Sequence, residues 1–92
     1  MNQQRRAVVS VIGKDQVGII SKVTTILSDN NINILDISQT ILQDFFTMMM
    51  LVDVSKRDNL DDLSKEFEEL STQLHLKINI QLEEIFQSMH RV

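Results

Sequence analysis

The chain has 92 residues, no cysteine and no proline, 42% hydrophobic residues and a formal net charge of −4. This length is that of one domain, and the hydrophobic content is typical of a globular protein rather than a disordered one. The composition excludes a disulfide framework, and the dispersed basic residues argue against a nucleic-acid surface. No apolar run reaches the length of a membrane span, and the N-terminus lacks the pattern of a secretory leader. We therefore expect one cytoplasmic domain over residues 1–92, with its core at about 6–90.

Two strands and one helix are predicted in the first half of the chain. Residues 6–12 are apolar on both faces except for Ser10, which is typical of a central strand. Residues 17–29 carry apolar side chains at helical spacing, and Asn30-Asn31 then tolerates the left-handed backbone that ends a helix. The predicted buried stripe of this helix is Val17, Ile20, Val23, Ile26 and Leu27. Residues 32–42 alternate between apolar and polar side chains, as a half-buried edge strand does.

The second half of the chain is also predicted to contain a strand, a helix and a strand, in that order. Residues 45–54, after a turn at 43–44, are the most hydrophobic stretch and predict a second central strand. A helix at about 60–74 follows, with Asp58 or Asn59 as its N-cap, then a strand at 75–82 and a short C-terminal helix at 83–90. The order β-α-β-β-α-β predicts a ferredoxin-like α+β sandwich with an antiparallel sheet ordered 4-1-3-2 and both helices on one face. This architecture hosts many unrelated functions.

The only two glycines of the chain are the first and last residues of one hexapeptide, Gly13-Lys14-Asp15-Gln16-Val17-Gly18. This hexapeptide connects the first predicted strand to the first predicted helix. Glycine at such a place allows a positive φ or a close approach to the main chain. The free N–H groups at the start of the helix face the same gap and suit a small anion such as a carboxylate. This connection is therefore the first candidate for a site.

The segment from Val11 to Ile20, followed by Asn31-Ile32-Asn33-Ile34, closely resembles the ACT domain. In that family a first strand ends in a D-x-x-G-I/L turn into a helix, and the second strand opens near N-I-x. Residues 36–40 and 46–49 are similar to a narrower group of small stand-alone bacterial and archaeal ACT proteins. Those proteins are similar to glycine cleavage system regulatory proteins and to the ACT part of formyltetrahydrofolate deformylase. The resemblance covers roughly residues 7–89.

The resemblance implies a non-enzymatic regulatory module that binds a small effector, an amino acid, at the interface of a homodimer. ACT domains pair side by side into an eight-stranded sheet, and glycine or serine is the favoured ligand here. No cofactor, metal, nucleic acid or membrane is implied. The ligand-binding residues that carry over are Lys14, Asp15, Gln16, Val17, Gly18 and Ile19 in the loop, with Asn33 and Ile34 on the second strand. In this scheme loop amides hold the ligand carboxylate, and the main chain near Asn33-Ile34 receives its ammonium.

Structural roles compete with several of these assignments. Asp15 is a candidate N-cap for the first helix, and Gly18 is a candidate for close helix–strand packing. Met48 and Met50 are expected in the core, with Met49 on an open sheet face. The sequence has no nucleophile–base pair of the kind that catalysis needs. His75 and His90 have no second ligand at metal-binding spacing, so both are predicted to be surface residues. The alternative function is an adaptor with no small ligand, which docks onto a protein partner through the open sheet face or the tail helix.

Overall fold

The structure, a computed structural model, describes residues 5–56 and 59–85. The elements are β1 (Arg6–Lys14), α1 (Ile19–Asp29), β2 (Asn33–Leu42), β3 (Phe45–Asp53), α2 (Asp61–Leu74) and β4 (Lys77–Leu82). The strands form one antiparallel sheet in the order β2-β3-β1-β4. The predicted ferredoxin-like α+β fold and its strand order are therefore confirmed. Residues 83–85 begin a helical turn, and the rest of the predicted helix at 83–90 lies outside the described residues.

The core lies between the helices and one face of the sheet, because side chains alternate along each strand. Ala7, Val9 and Val11 of β1 are fully buried, and Met48 and Met50 of β3 join them. The helices contribute Ile19, Val23, Leu27, Leu63, Phe67 and Leu70. Burying each large side chain contributes about 1.5–3 kcal/mol. The predicted division of the methionines is confirmed, since Met49 is 39% exposed on the opposite, open face. None of the helices described within 5–56 and 59–85 is both long and apolar enough to cross a membrane.

Helix α1 begins two residues later than predicted and buries a different stripe. Val17 is fully exposed and Ile20 is 39% exposed, whereas Ile19 is only 2% exposed. The segment holds apolar residues on more than one helical face, so its spacing permitted two stripes. Packing against the sheet selects the stripe that runs from Ile19 through Val23 to Leu27. The prediction that Val17 and Ile20 are buried is therefore wrong.

The start and end of helix α2 also differ from the sequence prediction. His75, predicted to open the last strand, instead takes a left-handed conformation (φ 55°) as the C-cap of α2, and β4 begins at Lys77. At the other end the N-cap is Leu60, and Asn59 Oδ1 accepts a hydrogen bond of 3.1 Å from the Asp61 N–H. Asn59, which was predicted as the N-cap, thus accepts a hydrogen bond from the start of α2 although it lies one residue before the observed N-cap, Leu60. Asp58 lies outside the described residues.

Strand β2 forms one edge of the sheet and is more exposed than a half-buried strand. A bulge at Leu35 interrupts its pairing, because Ile34 pairs with Val52 and Asp36 pairs with Leu51. Beyond the bulge, Ile37 and Ile41 lie opposite the buried residues Met50 and Phe46, so they belong to the helix side of the sheet. They are nevertheless 45% and 51% exposed. The edge therefore presents large apolar side chains to its surroundings.

Candidate functional site

The loop of residues 14–18 is held in place by two hydrogen bonds to other parts of the fold. The N–H of Asp15 donates to the carbonyl of Asp44 in the β2–β3 turn, at 2.7 Å. The side-chain Nε2 of Gln16 donates to the carbonyl of Leu74 at the end of α2, at 2.8 Å. Lys14 and Val17 are exposed, so the loop presents a fixed main chain with accessible side chains. Because Ile19 belongs to the core, only its main chain is available to a ligand.

The N-terminus of α1 is not capped by a side chain of the described residues. Its N-cap is Gly18, and no residue in the first turn is acidic. Asp15 precedes this position by three residues, so the prediction that Asp15 caps the helix is wrong. The first N–H groups of a helix lack intrahelical acceptors, and they form the positive end of the helix dipole. The prediction that these groups hold a small anion stays a prediction.

The two glycines have different structural roles, and the prediction that Gly18 serves close helix–strand packing is wrong. A Cβ on Gly18 would meet only Lys22 Cε, at 3.9 Å, so close packing does not explain this glycine. Its φ of 96° does, because that conformation is rarely adopted by residues with a side chain. A Cβ on Gly13 would lie 2.6 Å from Leu76 Cδ2 and 3.3 Å from Leu76 Cα. Close packing is thus a property of Gly13, where the α2–β4 connection lies against β1.

Replacing Gly18 with alanine should lower the free energy of unfolding by about 1–2 kcal/mol, because an L side chain is strained at this positive φ. Urea denaturation of the purified variant measures the loss. Gly18→Asn is the matched control, since asparagine tolerates left-handed conformations better than alanine and should recover part of the stability. Equal stability of the alanine variant and the parent protein would contradict the conformational role of Gly18.

The second half of the predicted site lies at the opposite end of the sheet. Lys14 pairs with Phe45, at one end of β3, whereas Asn33 pairs with Asp53, at the other end. Eight residue steps along a strand span about 27 Å. A single chain therefore does not bring the loop of residues 14–18 together with Asn33 and Ile34.

Asn33 and Ile34 line the largest of the described cavities, which has a volume of about 710 Å³. Its other walls are the last turns of α1, the connection to β2, and Lys56 just beyond β3. It is an open groove on the surface rather than an enclosed cavity, so a partner would be needed to enclose a small molecule there. Sequence reasoning missed Lys56, whose only signal was its place three residues after Asp53, the strand partner of Asn33.

Residues 5–81 match the family model described as the ACT domain. The chain belongs to the ACT domain family. A UPF0237 protein of Clostridium perfringens is 51% identical to this ACT domain over 87 residues, which cover 94% of this chain and 98% of that protein.

Solved structures give the same assignment for this ACT domain. An ACT domain protein from Streptococcus pneumoniae superposes with a TM-score of 0.79 at 39% identity, covering 92% of this chain and 97% of that one. A protein proposed to be a glycine cleavage system transcriptional repressor superposes with a TM-score of 0.74 at 22% identity, covering 88% of this chain and 47% of that one. The latter likeness establishes a shared fold only. The predicted resemblance to small ACT proteins is therefore confirmed, and the likeness to the glycine cleavage repressor is confirmed as one of fold.

Proposed function

We propose that this ACT domain is a non-enzymatic regulatory module of the cytoplasm, which binds an amino acid between two copies of the chain. The predicted site consists of two half-sites, the loop of residues 14–18 and the pair Asn33-Ile34. The observation that carries the proposal is that these half-sites lie at opposite ends of the sheet. The loop of residues 14–18 ends β1, and Asn33 opens β2, which runs parallel to β1 on the other side of β3. Neither end of the sheet alone holds both groups of predicted ligand-binding residues. A complete site needs a second chain.

A two-fold axis perpendicular to the sheet supplies the missing half. Such an axis pairs β2 with β2 of a second copy in antiparallel fashion, so the loop end of one copy lies beside the Asn33 end of the other. The exposed apolar side chains of Ile20, Ile37 and Ile41 supply surface to bury in this contact. Two equivalent sites result, one at each end of the shared edge.

The charges of an amino acid suit the two half-sites. The uncapped N–H groups at the start of α1, beside Lys14, favour the ligand carboxylate. Main-chain carbonyls near Asn33 and Ile34, contributed by the second copy, favour the ammonium. Val17 and Gly18 leave the loop amides accessible, since Val17 points into solvent and Gly18 has no side chain. In this scheme Gln16 maintains the loop rather than contacting the ligand, because its amide is bonded to the carbonyl of Leu74.

A panel of the twenty amino acids in a thermal-shift assay tests the proposal. We expect one amino acid, or a small related group, to raise the melting temperature in a concentration-dependent manner, because a ligand that binds only the folded state stabilises it. At a concentration 100 times its dissociation constant, a ligand stabilises by about 2.7 kcal/mol. The adaptor function predicts a different outcome, namely no stabilisation by any amino acid and co-purification with a protein partner.

The adaptor alternative rests on the open face of the sheet. Met49 and Ile12 are 39% and 37% exposed there, on the adjacent strands β3 and β1. Single exposed apolar residues are ordinary at protein surfaces, whereas contiguous patches mark interaction sites. If no amino acid stabilises the protein and one protein partner co-purifies with it, the adaptor function replaces the amino-acid sensor, and this face is the docking surface.

A further inference from the structure

The cavity beside Asn33 and Ile34 contains a positive charge, the ammonium of Lys56. A neutral amino acid bound there has no side-chain group to pair with it. Lys56 lines this cavity, and the described lining residues include no aspartate or glutamate. Lys56 also forms no ion pair with a carboxylate of the described residues. This arrangement occurs in a chain with 13 acidic residues against nine basic ones. The cavity therefore favours a negatively charged group beside Lys56.

The helix side of the same cavity offers hydrogen-bond acceptors. The hydroxyl of Thr24 donates to the Ile20 carbonyl at 2.8 Å, and that of Thr25 donates to the Ser21 carbonyl at 2.7 Å. With their protons committed, both hydroxyl oxygens can only accept. This side therefore suits an ammonium and disfavours a carboxylate.

We infer that the ligand is an amino acid with an acidic side chain, whose second carboxylate lies beside Lys56. The inference rests on the proposed function, which already assigns the α-carboxylate to the loop of the second copy and the ammonium to the Asn33 end. A neutral amino acid satisfies those two groups and leaves Lys56 without a counter-charge within residues 5–56 and 59–85. An acidic amino acid fills all three positions, and the cavity of about 710 Å³ has room for its longer side chain.

Isothermal titration with two isosteric pairs, aspartate against asparagine and glutamate against glutamine, tests this inference. Each pair differs in a charge and hardly in shape. We expect the acidic member of one pair to bind about tenfold more tightly than its amide, the effect of one partly exposed charge-assisted contact. Lys56→Gln should abolish that preference by weakening the acid and leaving the amide unchanged. Because Lys56 is exposed, the substitution should not disturb folding.

Lys22→Gln is the matched control, since Lys22 is an exposed lysine of α1 that lines a different groove. It should retain the preference for the acid. Binding of a neutral amino acid, with affinity equal for the parent protein and Lys56→Gln, would overturn the inference and leave the proposed function in place. A preference for the acid that survives in Lys56→Gln would also overturn it. If none of the twenty amino acids binds, the proposed function fails and this inference fails with it.

Discussion

Replacing Ile37 with lysine should convert the proposed dimer into a monomer of 10.6 kDa. Ile37 is 45% exposed on the helix side of the edge strand β2, where the proposed two-fold contact forms. Burying an isoleucine stabilises by about 1.5–3 kcal/mol, and a two-fold contact contains the residue twice. The variant also places two like charges at the interface. We therefore expect the dissociation constant of the dimer to rise by roughly 10²–10⁴-fold. Light scattering at micromolar concentration measures the mass.

Ile12→Lys is the matched control for this experiment. Ile12 is 37% exposed, similar to Ile37, but it lies on the open face of β1 rather than at the edge. This variant should remain dimeric and should still bind the ligand, whereas Ile37→Lys should lose binding together with dimerisation. A monomeric parent protein, or a dimeric Ile37→Lys variant, would contradict the proposed interface.

Replacing Gly13 with valine should lower the free energy of unfolding by about 2–3 kcal/mol, more than Gly18→Ala does. Even a single Cβ at this position would lie 2.6 Å from Leu76 Cδ2 and 3.3 Å from Leu76 Cα. Leu76 is buried, at 7% exposure, so it has little room to move away. Overpacking a core costs about 1–3 kcal/mol, and the main-chain contact places this site at the upper end. Chemical denaturation measures the change.

Two further variants separate overpacking from a general effect on the strand. Gly13→Ala adds only the Cβ and should lose less stability than Gly13→Val. Leu76→Ala removes the side chain that the Cβ would meet, so in the Gly13→Val background it should cost less than it does alone. Equal costs of Leu76→Ala in both backgrounds would show that the two residues do not interact as the structure places them.

The fold was predictable because its strongest signals are periodic. The double-sided apolar stretches predicted β1 and β3 as central strands, and the three- and four-residue spacing of Leu63, Phe67 and Leu70 predicted the buried face of α2. Such patterns reflect burial directly. The strand order then followed from the few topologies that a β-α-β-β-α-β chain permits.

The details of the site were less predictable, because they depend on contacts between distant parts of the chain. The positions of Gly13 and Gly18 in the sequence are unusual. The sequence does not show that Leu76 packs against Gly13, or that Gly18 has a positive φ. The separation of the loop from Asn33 follows from the register with β3, which no local pattern encodes. The burial of Ile19 instead of Ile20 was decided by packing, since both lie in one apolar run.

The unequal edges of the sheet have a consequence for assembly. One edge, β2, is ten residues long and carries exposed isoleucines, whereas the other, β4, is six residues long and begins with the exposed Lys77. Short strands and lysines discourage the addition of a further strand. A contact that uses β2 of both copies leaves only the two β4 edges facing outward. If the proposed dimer forms, assembly along the sheet is therefore self-limiting and ends at two copies rather than continuing into a fibre.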